Sequence, residues 1–438
     1  MKNLKYNLYF KVATIIIISL LLLIPTAMIT GLINERERTQ EDAIFEVSSK
    51  WANAQTITGP FLSIPYYKFV KENSNSKDSS YKITKVKDYI HVLPEELTVN
   101  GEIIPEKRNR GIYEIVVYNS NINISGSFIL PNFKSLDITP QNILFDQSDL
   151  NIGISDLRGL EKLVTVNWND VIYNFNSGLA QTDVVQRGIF AAIPINNSDS
   201  TQYNFKINLE LKGSQKIYFS PIGKTTDVKL TSTWNSPSYN GSFLPDDKDD
   251  LNGFNAHWNI LHLNRDFPQA WTGNDYSVSN SDFGVDLILP VDNYQKTYRS
   301  IKYAILFIAF TFIIFFFIEV MKKVFIHPIQ YILVGFALVI FYTLLLSIGE
   351  YLSFNTAFLI SAIATILLIT AYVKTILKSF SLAMLIAGIL TILYGFIFII
   401  IQVQDYALLI GSIGVFLILA LVMYFSRKID WYNLNLNE

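Results

Sequence analysis

The chain has 438 residues and a formal net charge of −2, and 50% of its residues are hydrophobic. Charged residues make up only 16%, against about 25% in a typical soluble protein, which indicates that much of the chain lies in lipid. The near-neutral charge excludes a basic surface for nucleic acid, and the lack of cysteine excludes disulfides and Cys-type zinc sites. We therefore expect a membrane protein with lipid contacts, no nucleic-acid partner and no cofactor.

The first predicted element is an apolar run over residues 12–33, which follows a basic tail. It is long enough for the roughly 20 residues that a transmembrane helix needs. A cleaved signal peptide would have a shorter apolar core and a small-x-small cleavage site, and no such site precedes Asn34. The pattern favours an uncleaved anchor, followed by a short amphipathic helix over residues 35–51 with Ile44, Val47 and Trp51 on one face.

The middle of the chain changes to a period of two residues, which is typical of strands with one face on a core. Apolar and polar residues alternate over residues 122–128, 205–211 and 254–260. We expect a large, mainly β domain over residues 34–299, long enough to bury a core of its own in one or two lobes.

Five further apolar runs follow, each of about the length of a membrane span. They cover residues 301–320, 328–346, 354–373, 380–401 and 406–425. The predicted fold class is a membrane protein with six transmembrane α-helices, one N-terminal and five C-terminal, and a large mainly β extracytoplasmic domain. The expected domains are a tail and first span (1–33), the β domain (34–299) and a five-helix bundle (300–438).

Charge predicts the orientation, because Lys and Arg are enriched in cytoplasmic loops. Basic residues precede the first span and fall on every second connection after it. The short loops between those connections carry Glu350 and Asp405 instead. Arg299 and Lys302 depart from this pattern, because they are basic and lie on the outer flank of the second span. We expect both termini in the cytoplasm and residues 34–299 outside it. The basic positions are Lys2, Lys5, Lys11, Lys322, Lys323, Lys374, Lys378, Arg427 and Lys428.

Several stretches, in order along nearly the whole chain, resemble the CreD family of bacterial inner-membrane proteins. The resemblance implies a role in cell-envelope integrity and envelope stress, with the architecture derived above, and implies no reaction or catalytic residue. The stretches include Gly59-Pro60-Phe61-Leu62, Arg110-Gly111-Ile112-Tyr113, Leu263-Asn264-Arg265, Pro290-Val291-Asp292, Ile326-His327-Pro328 and Asp430-Trp431-Tyr432.

Trp234, Trp258 and Trp271 concentrate near Arg265 in the β domain and are the candidate binding residues. Aromatic rings beside a guanidinium are suited to sugar rings or to a partner protein. The alternative is that these residues belong to an ordinary core. In a domain that faces the cell wall, the expected partner is peptidoglycan or an envelope protein.

Other candidates have weaker signals. Oxygen ligands suited to Ca²⁺ are supplied by Asp282, Asp286 and Asp292, together with a second group at Asp246, Asp247, Asp249 and Asp250. The second group lacks the residue order of an EF-hand, and a solvated loop is the alternative. His257 and His262 have an odd spacing that places them on opposite strand faces, which is unsuited to one metal. Serine, histidine and aspartate are all present, but no G-x-S-x-G elbow is.

Three functions follow from these observations. The first is a non-enzymatic envelope protein that binds or scaffolds through the β domain. The second is an enzyme acting on an envelope lipid or glycan, with Glu350, Asp405 and Arg299 converging at the outer membrane face. A transporter or channel ranks last, because no ionisable residue lies near the middle of a span.

Overall fold

The computed structural model describes residues 8–73, 81–195, 202–289, 293–322, 324–403 and 406–427. Several residues named above lie outside these ranges. They are Lys2, Lys5, Pro290, Val291, Asp292, Lys323, Asp405, Lys428, Asp430, Trp431 and Tyr432.

Six helical segments are long and apolar enough to cross a membrane, which confirms the one N-terminal and five C-terminal spans. Such runs form helices because lipid offers no partner to an open backbone N–H or C=O group. The helices are α1 Leu8–Leu21, α2 Leu23–Trp51, α3 Asn293–Lys302, α4 Ala304–Lys322, α5 Pro328–Gly349, α6 Phe354–Leu377, α7 Phe380–Gln402 and α8 Ala407–Ser426.

The N-terminal span differs in detail from the prediction. Helices α1 and α2 meet at Leu22, because Pro25 has no N–H to donate to the carbonyl four residues earlier. Helix α2 then continues without a break to Trp51, so the amphipathic stretch over residues 35–51 is the continuation of the span. A separate short helix, α3, precedes the second span.

The middle of the chain is built of strands, as predicted. The strands are β1 Gln55–Asn73, β2 Tyr81–Val92, β3 Glu96–Arg110, β4 Tyr113–Ile129, β5 Asp149–Ile154, β6 Thr165–Trp168, β7 Val171–Asn174, β8 Asn176–Ser177, β9 Gly188–Ala192, β10 Gln202–Ser214, β11 Lys216–Phe219, β12 Thr225–Ser232, β13 Pro237–Gly241, β14 Asp247–Asp249, β15 Phe254–Leu261, β16 Ala270–Thr272 and β17 Phe283–Leu287.

These strands form two sheets. The first has the order β13-β17-β11-β1-β5-β9-β8, with β2 paired to β1 and β16 paired to β2. The second has the order β14-β15-β12-β3-β4-β10-β6-β7. Pairing is antiparallel throughout the described strands, except that β1 runs parallel to β11 and β12 parallel to β3. The mainly antiparallel sheet expected from the two-residue alternation is therefore present.

One hydrophobic core contains residues of both sheets, such as Ile64 and Phe283 from the first and Ile124 and Trp258 from the second. Burial alternates along β10 and β15 as the sequence pattern predicts, because successive strand residues point to opposite faces. The chain divides into two compact units, residues 42–290 and residues 1–41 with 291–438. We call them the β unit and the helical unit.

Aromatic side chains pack between helices of the helical unit. The Tyr394 ring lies 4.4 Å from Phe307 and 4.7 Å from Phe341, measured between ring centroids. Phe307, Phe341 and Tyr394 belong to α4, α5 and α7, so one aromatic cluster joins three spans. Such packing matters in lipid, where burial of apolar surface no longer drives helices together.

Candidate functional site

The four candidate binding residues lie inside the β unit. Trp258 is 0% exposed, and its Nε1 donates to the Phe243 carbonyl at 3.3 Å. Trp271 is also buried, whereas Trp234 is half-buried and donates Nε1 to the Ser236 and Ile288 carbonyls. Since Trp258 has no accessible face, the three tryptophans do not form a shared binding surface. Their placement favours the alternative in which they belong to a core.

Arg265 also has a structural role. It is 7% exposed and donates from Nη1 and Nη2 to the carbonyls of Phe267 and Ile222 and to the Gln269 side chain. Its guanidinium carbon lies 4.0 Å from the Phe267 ring centroid, and burial lowers the pKa of Arg265 to about 10. Its Nη1 and Nη2 donors hold neighbouring chain segments together, whereas its buried Nε has no hydrogen-bond partner among the described residues.

The β unit contains a cleft of about 780 Å³, within the size range of small-molecule sites. Strand β1 contributes Thr56 and Thr58, and the segments before β9 and after β16 form two walls. Most of the lining residues carry a hydroxyl, amide or charged group, and apolar side chains such as Val184 and Val185 lie among them. The lining residues are Thr56, Thr58, Gly153, Ile154, Ser155, Thr182, Asp183, Val184, Val185, Gln186, Arg187, Asn274, Asp275, Tyr276, Ser277, Val278, Ser279 and Asp282.

A chain of hydrogen bonds runs along one side of the cleft and ends at Asp282. The buried hydroxyls of Thr58 and Ser220 lie 2.7 Å apart, and the Ser220 hydroxyl donates to Asp282 Oδ1. Burial raises the pKa of Asp282 to about 6, against an ordinary value of 3.8. Hydrogen bonding to Ser220 lowers that pKa, but by less than burial raises it.

A second chain of hydrogen bonds reaches the cleft lining at Asp183 through Ser63 and His91. Ser63 Oγ lies 3.1 Å from His91 Nδ1, and His91 Nε2 lies 3.3 Å from Asp183 Oδ2. An ionised carboxylate only accepts, so this geometry assigns the imidazole proton to Nε2 and leaves Nδ1 to accept from Ser63. Burial lowers the pKa of His91, which favours this neutral form.

This Ser-His-Asp chain lacks an accessible nucleophile. Ser63 is 2% exposed, does not line the cleft, and accepts a hydrogen bond from Asn151 Nδ2 at 3.1 Å. A catalytic serine must approach its substrate to bond distance. The arrangement instead fixes Asp183, and with it the wall that contains residues 182–187, in one position.

The weaker sequence candidates are dispersed. Asp282 lines the cleft, whereas Asp286 accepts from Asn240 Nδ2 at 2.8 Å, outside the cleft lining. His257 Nε2 pairs with Asp227 at 2.7 Å, and His262 lies on a short 3₁₀ turn. Among the described residues, no group of three His, Asp or Glu side chains is placed to hold a metal ion.

The residues suggested for an enzyme site in the helical unit do not all fall within the described ranges. Glu350 forms an ion pair with Arg36 at 3.3 Å, and Arg299 lines a smaller cavity of about 270 Å³ with Asn34, Glu37 and Tyr294. Asp405 lies outside the described residues. The convergence of Glu350, Asp405 and Arg299 therefore stays a prediction.

The cleft was missed at the level of sequence because its residues have no local pattern. Thr58, Asp183 and Asp282 come from three distant stretches, and only the strand pairing of the first sheet brings them together. Asp282 was selected as a possible Ca²⁺ ligand, which identified a polar residue of the cleft but not its surroundings. His91 lies on an ordinary strand pattern and gave no signal.

Known proteins resemble this chain over nearly its whole length. The family model described as "Inner membrane protein CreD" matches residues 7–432. The chain is 32% identical over 439 aligned residues to the inner membrane protein CreD of Escherichia coli strain K12, covering 99% of this chain and 96% of that protein.

The solved structures that match have much lower similarity. The M1 zinc metallopeptidase of Deinococcus radiodurans is 7% identical, with a TM-score of 0.21, over 44% of this chain and 42% of that one. A mutant of that peptidase is 8% identical, with a TM-score of 0.20 and the same coverage. These scores are too low to support a common fold. The family match and the E. coli relative extend over the whole architecture, and the chain belongs to the CreD family of inner membrane proteins.

Proposed function

We propose that this inner membrane protein supports cell-envelope integrity as a non-catalytic binding protein. In this proposal the β unit lies outside the cytoplasm and uses its cleft to bind a component of the cell wall. The helical unit anchors it, with both termini in the cytoplasm. The observation that carries the proposal is the cleft of about 780 Å³ with its polar lining.

The lining favours a wall fragment over a protein surface. Protein interfaces are centred on apolar and aromatic anchors. Here most lining side chains carry a hydroxyl, amide or charged group, as in Thr56, Ser155, Gln186 and Asn274. Such groups suit a ligand that presents many hydrogen-bonding atoms, as the glycan and peptide parts of peptidoglycan do.

Rigid walls are a second support, because a preorganised site loses less entropy on binding. The wall with residues 182–187 is held by the Ser63–His91–Asp183 chain. A further part of the lining is fastened by the hydrogen bonds of Thr58, Ser220 and Asp282. Each chain joins a buried side chain, Ser63 or Ser220, to a residue of the cleft lining.

The location outside the cytoplasm is supported by the distribution of charge. Lys11, Lys322 and Lys374 lie at the ends of spans that the positive-inside rule assigns to the cytoplasm. If all six helices cross the membrane, one or three spans separate each of these ends from residues 42–290 along the chain, which supports placing the β unit on the opposite side. The family resemblance supports the role in envelope integrity.

Filling the cleft tests the proposal. The full chain in detergent micelles is titrated calorimetrically with the disaccharide–tetrapeptide released from peptidoglycan by a muramidase. Thr182 is exposed on the cleft wall, so we expect Thr182→Trp to weaken binding at least about tenfold by occupying the cleft.

The matched control is Thr165→Trp, at an exposed position of β6 that does not line the cleft. It should bind as the wild type does. Absence of binding by the wild-type protein, or equal binding by the Thr182→Trp variant, contradicts the proposal.

A further inference from the structure

We infer that the cleft takes a ligand that carries a protonated amine, which pairs with the carboxylate of Asp282. This inference rests on the proposed function, because it names the chemical group that the same cleft recognises. The amine has two possible sources in a wall fragment: a free amino group of the peptide, or an amino sugar whose nitrogen is not acetylated. Either amine would form the same ion pair with the carboxylate of Asp282.

The first argument is the charge of the cleft. Three carboxyl groups, those of Asp183, Asp275 and Asp282, line it, against the single guanidinium of Arg187. A concave site lined by one sign of charge concentrates ligands of the opposite sign. A cationic group of a ligand is attracted by this field, so it is the part of the ligand that we expect nearest these carboxyl groups.

The second argument is the state of Asp282 itself. Its side chain is half-buried, and the partner that reaches it is the neutral hydroxyl of Ser220. Within the described ranges, no Lys or Arg lies within ion-pair distance of Asp282. A carboxylate that is partly removed from water without a positive partner is unfavourable, and a bound cation supplies that partner.

Asp156, in the same unit, shows the contrast. It is buried to a similar or greater extent, but Arg158 pairs with it at 2.6 Å and holds its pKa down to about 2. At Asp156, where the carboxylate has a structural role, the fold thus provides Arg158 as a cation. Asp282 lacks such a cation and faces a cavity instead.

The third argument is the aromatic ring beside these carboxyl groups. Tyr276 lines the cleft, is 38% exposed, and is backed edge-on by Trp271 at 5.8 Å. An exposed ring face accepts a cation or the apolar face of a sugar. A ligand with an amine on a sugar or peptide skeleton therefore finds both a charge partner and a packing surface.

The test compares three versions of the disaccharide–tetrapeptide on the full chain in detergent micelles at pH 7.5. The first has a free peptide amine and acetylated sugars. In the second the peptide amine is acetylated. In the third the peptide amine is acetylated and one sugar amine is free. We expect at least one amine-bearing version to bind about tenfold or more tightly than the fully acetylated version.

Two variants locate the effect. Asp282→Asn keeps the side-chain shape but removes the charge, and it should abolish the preference for the amine. Asp146→Asn removes an exposed carboxylate that does not line the cleft, and it should retain the preference. The first and third fragments then identify the peptide or the sugar as the source of the amine.

Equal binding of all three fragments by the wild type overturns the inference but leaves the proposed binding function intact. A preference for the amine that survives in the Asp282→Asn variant also overturns it. If no fragment binds at all, the proposed function fails together with the inference.

Discussion

The carboxyl group of Asp282 destabilises the unliganded protein and, in our proposal, favours ligand binding. In the unliganded protein it is partly buried beside Ser220, with no cation in reach among the described residues. That environment disfavours the charged form and raises its pKa to about 6. A charged group that lowers the stability of the unliganded protein is typical of functional sites, where the needs of activity and of stability conflict.

A pH-dependent gain in stability is the first prediction at this scale. A carboxyl whose pKa is raised on folding destabilises the native state when it is charged. For Asp282 this destabilisation is complete above about pH 6 and disappears below the ordinary pKa of 3.8. Asp282→Asn should therefore raise the free energy of unfolding by about 1–2 kcal/mol at pH 7.5, after allowance for solvent screening. The gain should shrink as the pH falls from 6 toward 4.

Tryptophan fluorescence during thermal unfolding measures this, because Trp258 lies 5.4 Å from Phe283, the residue after Asp282. Asp146→Asn serves as the control and should show no difference from the wild type at either pH. An Asp282→Asn variant that is less stable than the wild type at pH 7.5 contradicts the account of this residue.

At the scale of elements, an ion pair connects the N-terminal span to the helices that follow. Lys11 of α1 lies 3.0 Å from Glu319 of α4, and both side chains are largely buried. Glu319 also accepts from the Tyr331 hydroxyl of α5 at 2.9 Å and from the Ile326 backbone N–H at 3.2 Å. Three helices are thus joined at one carboxylate.

Breaking this pair should destabilise the helical unit. Lys11→Met leaves the Glu319 carboxylate buried with only neutral partners, which costs about 3 kcal/mol, at the low end for a buried pair. Far-UV circular dichroism during an SDS titration of the full chain should show an earlier loss of helix. Lys322→Met, at an exposed position of α4, should not shift the transition.

The double variant Lys11→Met with Glu319→Gln should recover part of the lost stability, since it no longer leaves a charge unpaired. An unchanged SDS midpoint in the Lys11→Met variant would show that the pair contributes nothing to the packing of α1.

The elements themselves could be predicted from periodicity. The six apolar runs predicted the spans, and the two-residue alternation predicted strands such as β10 and β15. The continuous helix through Trp51 was missed, because the change from an apolar to an amphipathic pattern near residue 35 is the same whether one helix continues or a second begins. The join at Leu22 was missed because it lies within an unbroken apolar run. The cleft could not be predicted, since its walls are irregular segments whose position depends on the pairing of distant strands.

The candidate residues illustrate the same limit. A tryptophan on a strand has the same sequence pattern whether its ring is buried, as in Trp258, or exposed to a ligand. Burial is decided by which sheet face meets the core, and residues far along the chain supply that core. Asp156 pairs with Arg158, two residues away along the chain, whereas the position of Asp282 beside Ser220 is visible only once the strands are paired.

At the scale of the whole molecule, one part of the chain is suited to lipid and another part to water. Six segments are apolar enough for lipid, and residues 42–290 form a compact unit with a core of their own. A binding role for the cleft in the envelope requires that this β unit lie on the outer side of the membrane. The side on which it lies is therefore the central claim.

Thiol labelling tests that claim most directly, because the chain has no native cysteine. Single variants Glu102→Cys, at an exposed position of the β unit, and Lys374→Cys, near the end of α6, are expressed in cells and converted to spheroplasts. A membrane-impermeant maleimide should label the first variant in intact spheroplasts and the second only after the membrane is permeabilised. Labelling of the Lys374→Cys variant but not of the Glu102→Cys variant in intact spheroplasts would contradict the account.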